Sequence, residues 1–190
     1  MADIATLNGV AIADIAALNG VLKGSVDTVN GITRTPVLTG YTADQIPTMT
    51  SNTAPSGTAS ASSILSGTYA AFKAMDGVTA GDQGWASSSV AAWLQYEFTA
   101  TKQIERYTMQ MSTLGSSQFP TAWTFEGYNG STWDVLDTQS SISWTADEKK
   151  TFTFTNATSY TKYRINITAN NGHSSQDYIK EIEMMEGVYS

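Results

Sequence analysis

Apolar and polar side chains alternate strictly through the second half of the chain. Leu94, Tyr96 and Phe98 share one face of an extended segment, with Gln95 and Glu97 between them. Tyr107, Met109 and Met111 repeat the pattern, as do Phe152 with Phe154, Tyr163 with Ile165 and Ile167, and Ile182 with Met184. A period of two places one face of each segment on a core and the other in water, which predicts half-buried β-strands. Gly115-Ser116-Ser117, Asn129-Gly130 and Asn171-Gly172 punctuate the strands with residues that suit tight turns. Short strands at this spacing predict an all-β domain, an antiparallel sandwich or barrel.

The N-terminus follows a different rule. Ile4-Ala5-Thr6-Leu7-Asn8-Gly9-Val10 recurs as Ile15-Ala16-Ala17-Leu18-Asn19-Gly20-Val21, and more loosely as Val26-Asp27-Thr28-Val29-Asn30-Gly31-Ile32, at eleven-residue intervals. An eleven-residue period also fits a right-handed helical supercoil. Three Asn-Gly pairs between apolar residues favour short strands instead, because both residues tolerate the positive φ of a hairpin turn. A segment this short cannot bury a core of its own. Its apolar residues are expected to be covered by sister copies, by a larger surface on which it docks, or by the rest of its own chain.

Residues 36–50 read as a linker, with Pro36, Gly40 and Pro47 and little periodicity. The expected organisation is therefore a repeat segment over 1–35, a linker over 36–50 and a β-domain over 51–190.

Composition narrows the function. Charged residues make up only 14% of the chain, so Ser, Thr, Asn, Gln and Gly must cover the surface, which suits strands and turns. Ten basic residues against seventeen acidic ones give a net charge of −7, and the one basic pair, Lys149-Lys150, follows Asp147-Glu148. Nucleic acid and anionic membranes are therefore not expected partners. With no cysteine, disulfides and thiolate chemistry are excluded. Met1-Ala2-Asp3-Ile4 carries no basic region and no continuous apolar run, so no secretory signal is expected, and no stretch is apolar enough to insert in a membrane.

Ala71-Phe72-Lys73-Ala74-Met75-Asp76-Gly77 followed by Trp85 resembles the opening of a discoidin domain, the coagulation-factor type C or galactose-binding-like module. Trp93-Leu94-Gln95-Tyr96, then Pro120, Trp123 and Phe125-Glu126-Gly127, then Asn129-Gly130-Ser131-Thr132-Trp133 with Leu136 follow in the family's order. Tyr163-Arg164-Ile165-Asn166-Ile167, Asn170-Asn171-Gly172 and Ile179-Lys180-Glu181-Ile182 complete it. Each piece alone is weak, but together they span roughly 140 residues. The resemblance implies an antiparallel jelly-roll β-sandwich whose loops at one end bind ligands, often sugars. It also implies that Trp93, Trp123, Trp133, Phe125 and Tyr163 are core residues. The disulfide of vertebrate members is missing. The N-terminal repeats resemble those of bacteriophage virion proteins, including fibres and decoration proteins.

Catalytic chemistry finds little support. His173 is the sole histidine, so a Ser-His-Asp triad would have to use it, and paired histidine metal ligands are impossible within one chain. Asp134 with Asp137 and Asp147 with Glu148 are placed by no pattern that glycoside hydrolysis would need. The resemblance implies a structural calcium ion tying the Asp-Gly loop to a Glu near the C-terminus, here Asp76 and Glu181, with backbone carbonyls around Ala74 and Gly77 to Gly81 completing an oxygen cage and Asp82 as a further candidate. The other reading of Asp76 is a turn cap. Trp85, Phe119, Trp144 and Tyr178 fall in expected loops with Asn171 and His173. There an aromatic face can stack on a sugar while Asn or His meets its hydroxyls; each aromatic alone suits packing better, but of the set one or two are expected to touch ligand.

The combined reading is a non-catalytic phage virion surface protein, a short head or tail fibre or a capsid decoration. Residues 1–35 would contact other virion proteins and sister copies in a homotrimer, and the sandwich would bind cell-surface glycans. The alternatives are a purely structural decoration protein and a carbohydrate-binding module that partners an enzyme.

Overall fold

The computed structural model describes residues 36–190 in full and, before them, the backbone of six two-residue strands. These are β1 (Thr6–Leu7), β2 (Val10–Ala11), β3 (Ala17–Leu18), β4 (Val21–Leu22), β5 (Thr28–Val29) and β6 (Ile32–Thr33). They pair antiparallel as β1–β2, β3–β4 and β5–β6, with Leu7 opposite Val10, Leu18 opposite Val21 and Val29 opposite Ile32. Each register spans one Asn-Gly dipeptide, as expected of two-residue hairpin connections. The helical alternative for these strand residues is excluded.

The chain divides into two compact units, residues 1–40 with 188–190 and residues 41–187. In the first, the N–H and C=O of Val37 both bond to Ser190, at 3.2 and 3.1 Å. The strand that follows, β7 (Leu38–Tyr41), lies inside the segment expected to be a linker. In the second unit, Ile46 and Met49 are buried in the core. The linker expectation for 36–50 is therefore corrected: low periodicity marked irregular backbone, but that backbone supplies core side chains.

The remaining strands are β8 (Thr58–Ala61), β9 (Trp85–Ala86), β10 (Trp93–Lys102), β11 (Ile104–Gln110), β12 (Pro120–Tyr128), β13 (Trp133–Gln139), β14 (Lys149–Thr153), β15 (Tyr160–Asn170), β16 (Tyr178–Ile179) and β17 (Glu181–Tyr189). One sheet has the order β13-β12-β15-β10-β8, the other β14-β11-β17-β7, and β16 pairs with β9. The architecture is the expected all-β antiparallel sandwich.

The apolar sets read from alternation form its core: Leu94, Tyr96, Tyr107, Met109, Ile165 and Met184 are all buried. Aromatic rings join the sheets. Tyr107 on β11 stacks on Phe125 of β12 with centroids 4.4 Å apart, and Trp123 meets Phe152 of β14 edge-on at 5.2 Å. The polar atoms of these rings are partnered: the indole N–H of Trp123 donates to Tyr107 Oη (2.8 Å), which donates to Asp137 Oδ2 (2.8 Å). Trp93 and Trp133 depart from the expected core. Both are half-buried, and Trp133 packs under the Arg164 guanidinium at 4.1 Å. Trp93 faces out with its cross-strand neighbour Asn166, because the position is out of phase with inward-facing Leu94. Among the described residues, no helix is long and apolar enough to cross a membrane.

The antiparallel registers bring one set of strand ends together. Leu94 near the start of β10 opposes Ala61 at the end of β8, Pro120 opposes Asn170, and Gln110 at the end of β11 opposes both Lys149 and Glu181. The loops over 111–119 and 171–177 therefore leave the sandwich at the same end.

Candidate binding site

At this end two loops are tied side by side. The N–H of Asn171 donates to Phe119 O (3.0 Å), the N–H of His173 to Ser117 O (3.1 Å), and Asn171 Nδ2 to Ser116 O (3.3 Å). Gln118 Nε2 donates to Gln176 Oε1 above them. The turn at 170–173 forms because Gly172 adopts φ +95°, which a Cβ disfavours, and its N–H donates to Asn170 Oδ1 at 3.0 Å. Asn170 Nδ2 then reaches His173 O (3.2 Å), Gln176 O (2.9 Å) and Asp177 Oδ1 (2.9 Å), bracing the loop from inside.

That bracing presents a donor and an acceptor. His173 is half-buried and its Nδ1 accepts the N–H of Ser175 at 3.2 Å, so the neutral ring carries its proton on Nε2. Asn171 is exposed and spends its amide N–H₂ on Ser116, which leaves Oδ1 as an acceptor. A donor and an acceptor two residues apart on a braced loop suit neighbouring hydroxyl groups. Leu114, 70% exposed on the adjacent loop, adds an apolar surface. An aliphatic side chain carries no sequence signal for sugar stacking, which is why Leu114 was not legible there.

The aromatics expected here divide. Trp144 lies beside the site: its Nε1 donates to Pro120 O (2.7 Å), and its ring stacks near Trp123 with Lys150 Nζ 5.5 Å from its centroid. Half-buried, it offers an edge rather than a free face. Trp85, Phe119 and Tyr178 are corrections, because all three are buried core residues. The Trp85 indole donates to Ser63 O (3.1 Å), and Tyr178 Oη donates to Asp82 O (3.1 Å). Trp85 and Tyr178 stand on the paired strands β9 and β16, Phe119 directly precedes β12, and all three rings join the core, so no sugar can stack on them.

The expected calcium ligands also divide. Asp76 and Glu181 come together, since the N–H of Gly77 donates to Glu181 Oε1 at 3.0 Å. Asp82 does not join them: both its oxygens accept from Thr113, whose hydroxyl and N–H hold its carboxyl below the usual range. Asp76 Oδ1 accepts the N–H of Val78 (3.0 Å), the turn-capping reading, and Oδ2 holds Lys73 Nζ at 3.1 Å. Calcium takes six to eight oxygens, and these three residues leave only Glu181 Oε2 without a partner. Among the described residues, no three His, Cys, Asp or Glu side chains form a group able to hold a metal ion. The three carboxylates by themselves therefore do not make a calcium cage.

Glu181 instead borders a cleft of about 440 Å³ that it shares with Asp44, Glu183, Ile46, Pro47 and Met75. Burial pushes the Glu181 carboxyl up to about 8, helped by the nearby charges of Asp76, Asp44 and Glu183. Burial likewise raises Asp44 to about 6, against the pull of the Met184 and Ile46 N–H groups on Oδ1 (2.9 and 3.0 Å). Asp44 was missed because it stands in the presumed linker, and Glu183 because it read as the solvent-facing half of an alternating strand.

Comparison with known proteins settles the family. The F5/8 type C domain matches residues 58–182. The chain belongs to that family. The F5/8 type C fold is shared with a family 32 carbohydrate-binding module of NanJ from Clostridium perfringens, solved with galactose, at 20% identity and a TM-score of 0.57, over 68% of this chain and 93% of that one. A chitosan-binding module from a Paenibacillus chitosanase/glucanase, solved with chitotriose, matches at 22% identity and a TM-score of 0.55, over 67% and 95%. An F5/8 type C domain from Bacteroides fragilis matches at 15% identity and a TM-score of 0.58, over 69% and 91%. No curated protein matches the sequence. The F5/8 type C match begins after Asp44 and ends before Glu183.

Proposed function

We propose that the F5/8 type C domain binds glycans through its loop end, with His173 Nε2–H donating to, and Asn171 Oδ1 accepting from, adjacent sugar hydroxyls. The observation that carries this reading is the tied pair of loops, which holds both groups in place before any ligand arrives. The galactose and chitotriose complexes of similarly folded modules support it. A broad glycan array, followed by calorimetry on the best binder, tests it. Asn171→Ala and His173→Ala are each expected to weaken that binder about tenfold, one good hydrogen bond apiece, with the fold intact. Unchanged affinity in both variants would remove the loop end from the site.

The repeat segment supports the wider reading of a phage virion surface protein, a short fibre or capsid decoration whose residues 1–35 join sister copies and other virion proteins. Three short hairpins with apolar flanks are too small to stand alone, which is the physical reason to expect sister copies around them. Many copies held together turn weak single-site affinity into firm attachment. Light scattering on the full chain is expected to give a trimer, and deletion of residues 1–35 a monomer. An unchanged mass after the deletion would refute the oligomerising role.

A second reading is a carbohydrate-binding module that serves an enzyme, favoured by relatives that derive from a chitosanase/glucanase and a family 31 glycoside hydrolase.

A further inference from the structure

The start of β7 and the end of β17 form a two-stranded ribbon with apolar side chains in water on both faces. Val37 and Ser190 exchange both N–H···O bonds (3.2 and 3.1 Å), the mark of directly opposed residues in an antiparallel pair. Leu38 therefore stands opposite Tyr189, and Thr39 opposite Val188, whose carbonyl accepts the Thr39 hydroxyl at 3.0 Å. The pleat puts Leu38 and Tyr189 on one face and Val37 and Val188 on the other. Val37 is 61% exposed, Leu38 43%, Val188 42% and Tyr189 45%. Ten large apolar side chains are exposed among the described residues, and four of them crowd into this short ribbon. Scattered exposed apolar residues are ordinary, but a cluster of them marks a contact surface.

We propose that this ribbon is an interface between copies of the chain, the Leu38 face of each copy meeting the Val188 face of the next to close a ring. Three observations name a sister copy as the occupant. No charged side chain lies within 35–43 or 187–190, on a chain of net charge −7. Like-charged copies repel, so an uncharged stretch is where they approach at least cost. Among the described residues β7 is the edge strand of its sheet, and Leu38-Thr39-Gly40-Tyr41 holds no charge or proline to keep another chain away. The ribbon also belongs to the same compact unit as β1–β6, the hairpins read above as joining copies. The two faces decide the symmetry. An isologous pair covers one face of each ribbon and leaves the other in water, whereas a head-to-tail ring covers both. The identity of the partner rests on the sister-copy reading above, and the two-faced geometry does not.

Cross-linking and light scattering on the full chain test the proposal. The chain contains no cysteine, so introduced ones report alone. Leu38→Cys combined with Val188→Cys places the two thiols on opposite faces, where they cannot meet within one ribbon. Oxidation with diamide is expected to link this double variant into covalent trimers, and neither single variant into any. Leu38→Asp and Val188→Asp are each expected to raise the midpoint concentration of assembly about tenfold or more, since each puts a charge into an apolar contact. Val135→Asp, at a 57% exposed position on β13, is expected to leave the midpoint unchanged. Tryptophan fluorescence verifies that the variants fold. A wild-type chain that stays monomeric would overturn the sister-copy reading and the ribbon together. An assembly indifferent to both ribbon charges would overturn the ribbon alone and leave the hairpins as the joint. Dimers linked through a single cysteine, with no trimer from the pair, would overturn the ring.

Discussion

Glu181→Gln is expected to stabilise the protein above pH 8 by up to about 5 kcal/mol and to flatten its stability between pH 4.5 and 8. The sign follows from the direction of the shift. Burial raises the folded-state carboxyl from 4.5 to about 8, so within that window the unfolded chain has released the proton and the folded chain still holds it. Stability is then full below pH 4.5 and falls as pH rises through 8. Asp44, raised from 3.8 to about 6, adds a loss of the same sign over its own narrower window. Glu183 runs the other way: Lys149 and Thr108 hold its carboxyl low, so its contribution is present above the ordinary Glu value and lost in acid. Together these place the stability maximum on the mildly acidic side of neutrality. Glutamine keeps the oxygen that accepts the Gly77 N–H and cannot ionise, so the variant loses the alkaline decline without losing the contact. Urea unfolding followed by tryptophan fluorescence, in chelator-containing buffers from about pH 5 to 9, measures this. Wild-type and variant curves that stay parallel would show that Glu181 ionises freely in the folded state.

The same cleft shows where sequence reading stops. The sandwich was legible because its strands alternate with period two, a pattern that local geometry imposes on any half-buried strand. Leu94, Tyr96, Tyr163 and Ile165 fell where the alternation put them. The Asn-Gly pairs located three hairpin registers for a similarly local reason. Positions fixed by long-range packing were not legible. Trp85, Phe119 and Tyr178 stand among turn residues in the sequence, yet the short β9–β16 pair and the start of β12 carry them into the core. Asp44 is 140 residues from Met184, the backbone group that holds it, and no local pattern announces that bond. Asn171 and His173 were legible as polar groups in a loop. Which of their atoms are free depends on Ser116 and Ser175, partners that only the folded backbone supplies.

Asp177→Ala is expected to cost about 3 kcal/mol of stability and to remove glycan binding at the loop end while the domain remains folded. Asp177 is fully buried and joins three segments of chain. Its Oδ2 accepts the N–H of Ala92 (3.1 Å) and its Oδ1 accepts Asn170 Nδ2 (2.9 Å). Its own N–H donates to Ser87 Oγ at 2.7 Å, and its carbonyl accepts the Ser87 N–H at 3.0 Å. Alanine keeps the backbone bonds but leaves the Ala92 N–H without its acceptor inside the protein and takes one brace from Asn170. Asn170 is the residue that shapes the turn carrying Asn171 and His173, so the loss spreads to the proposed sugar contacts. Asp177→Asn is no full rescue, because its amide group faces one of two donors. Denaturant unfolding gives the stability change, and calorimetry with the best array ligand gives the functional one. A variant destabilised as expected that still binds glycan at wild-type affinity would show that the ligand does not sit on the loop Asp177 braces.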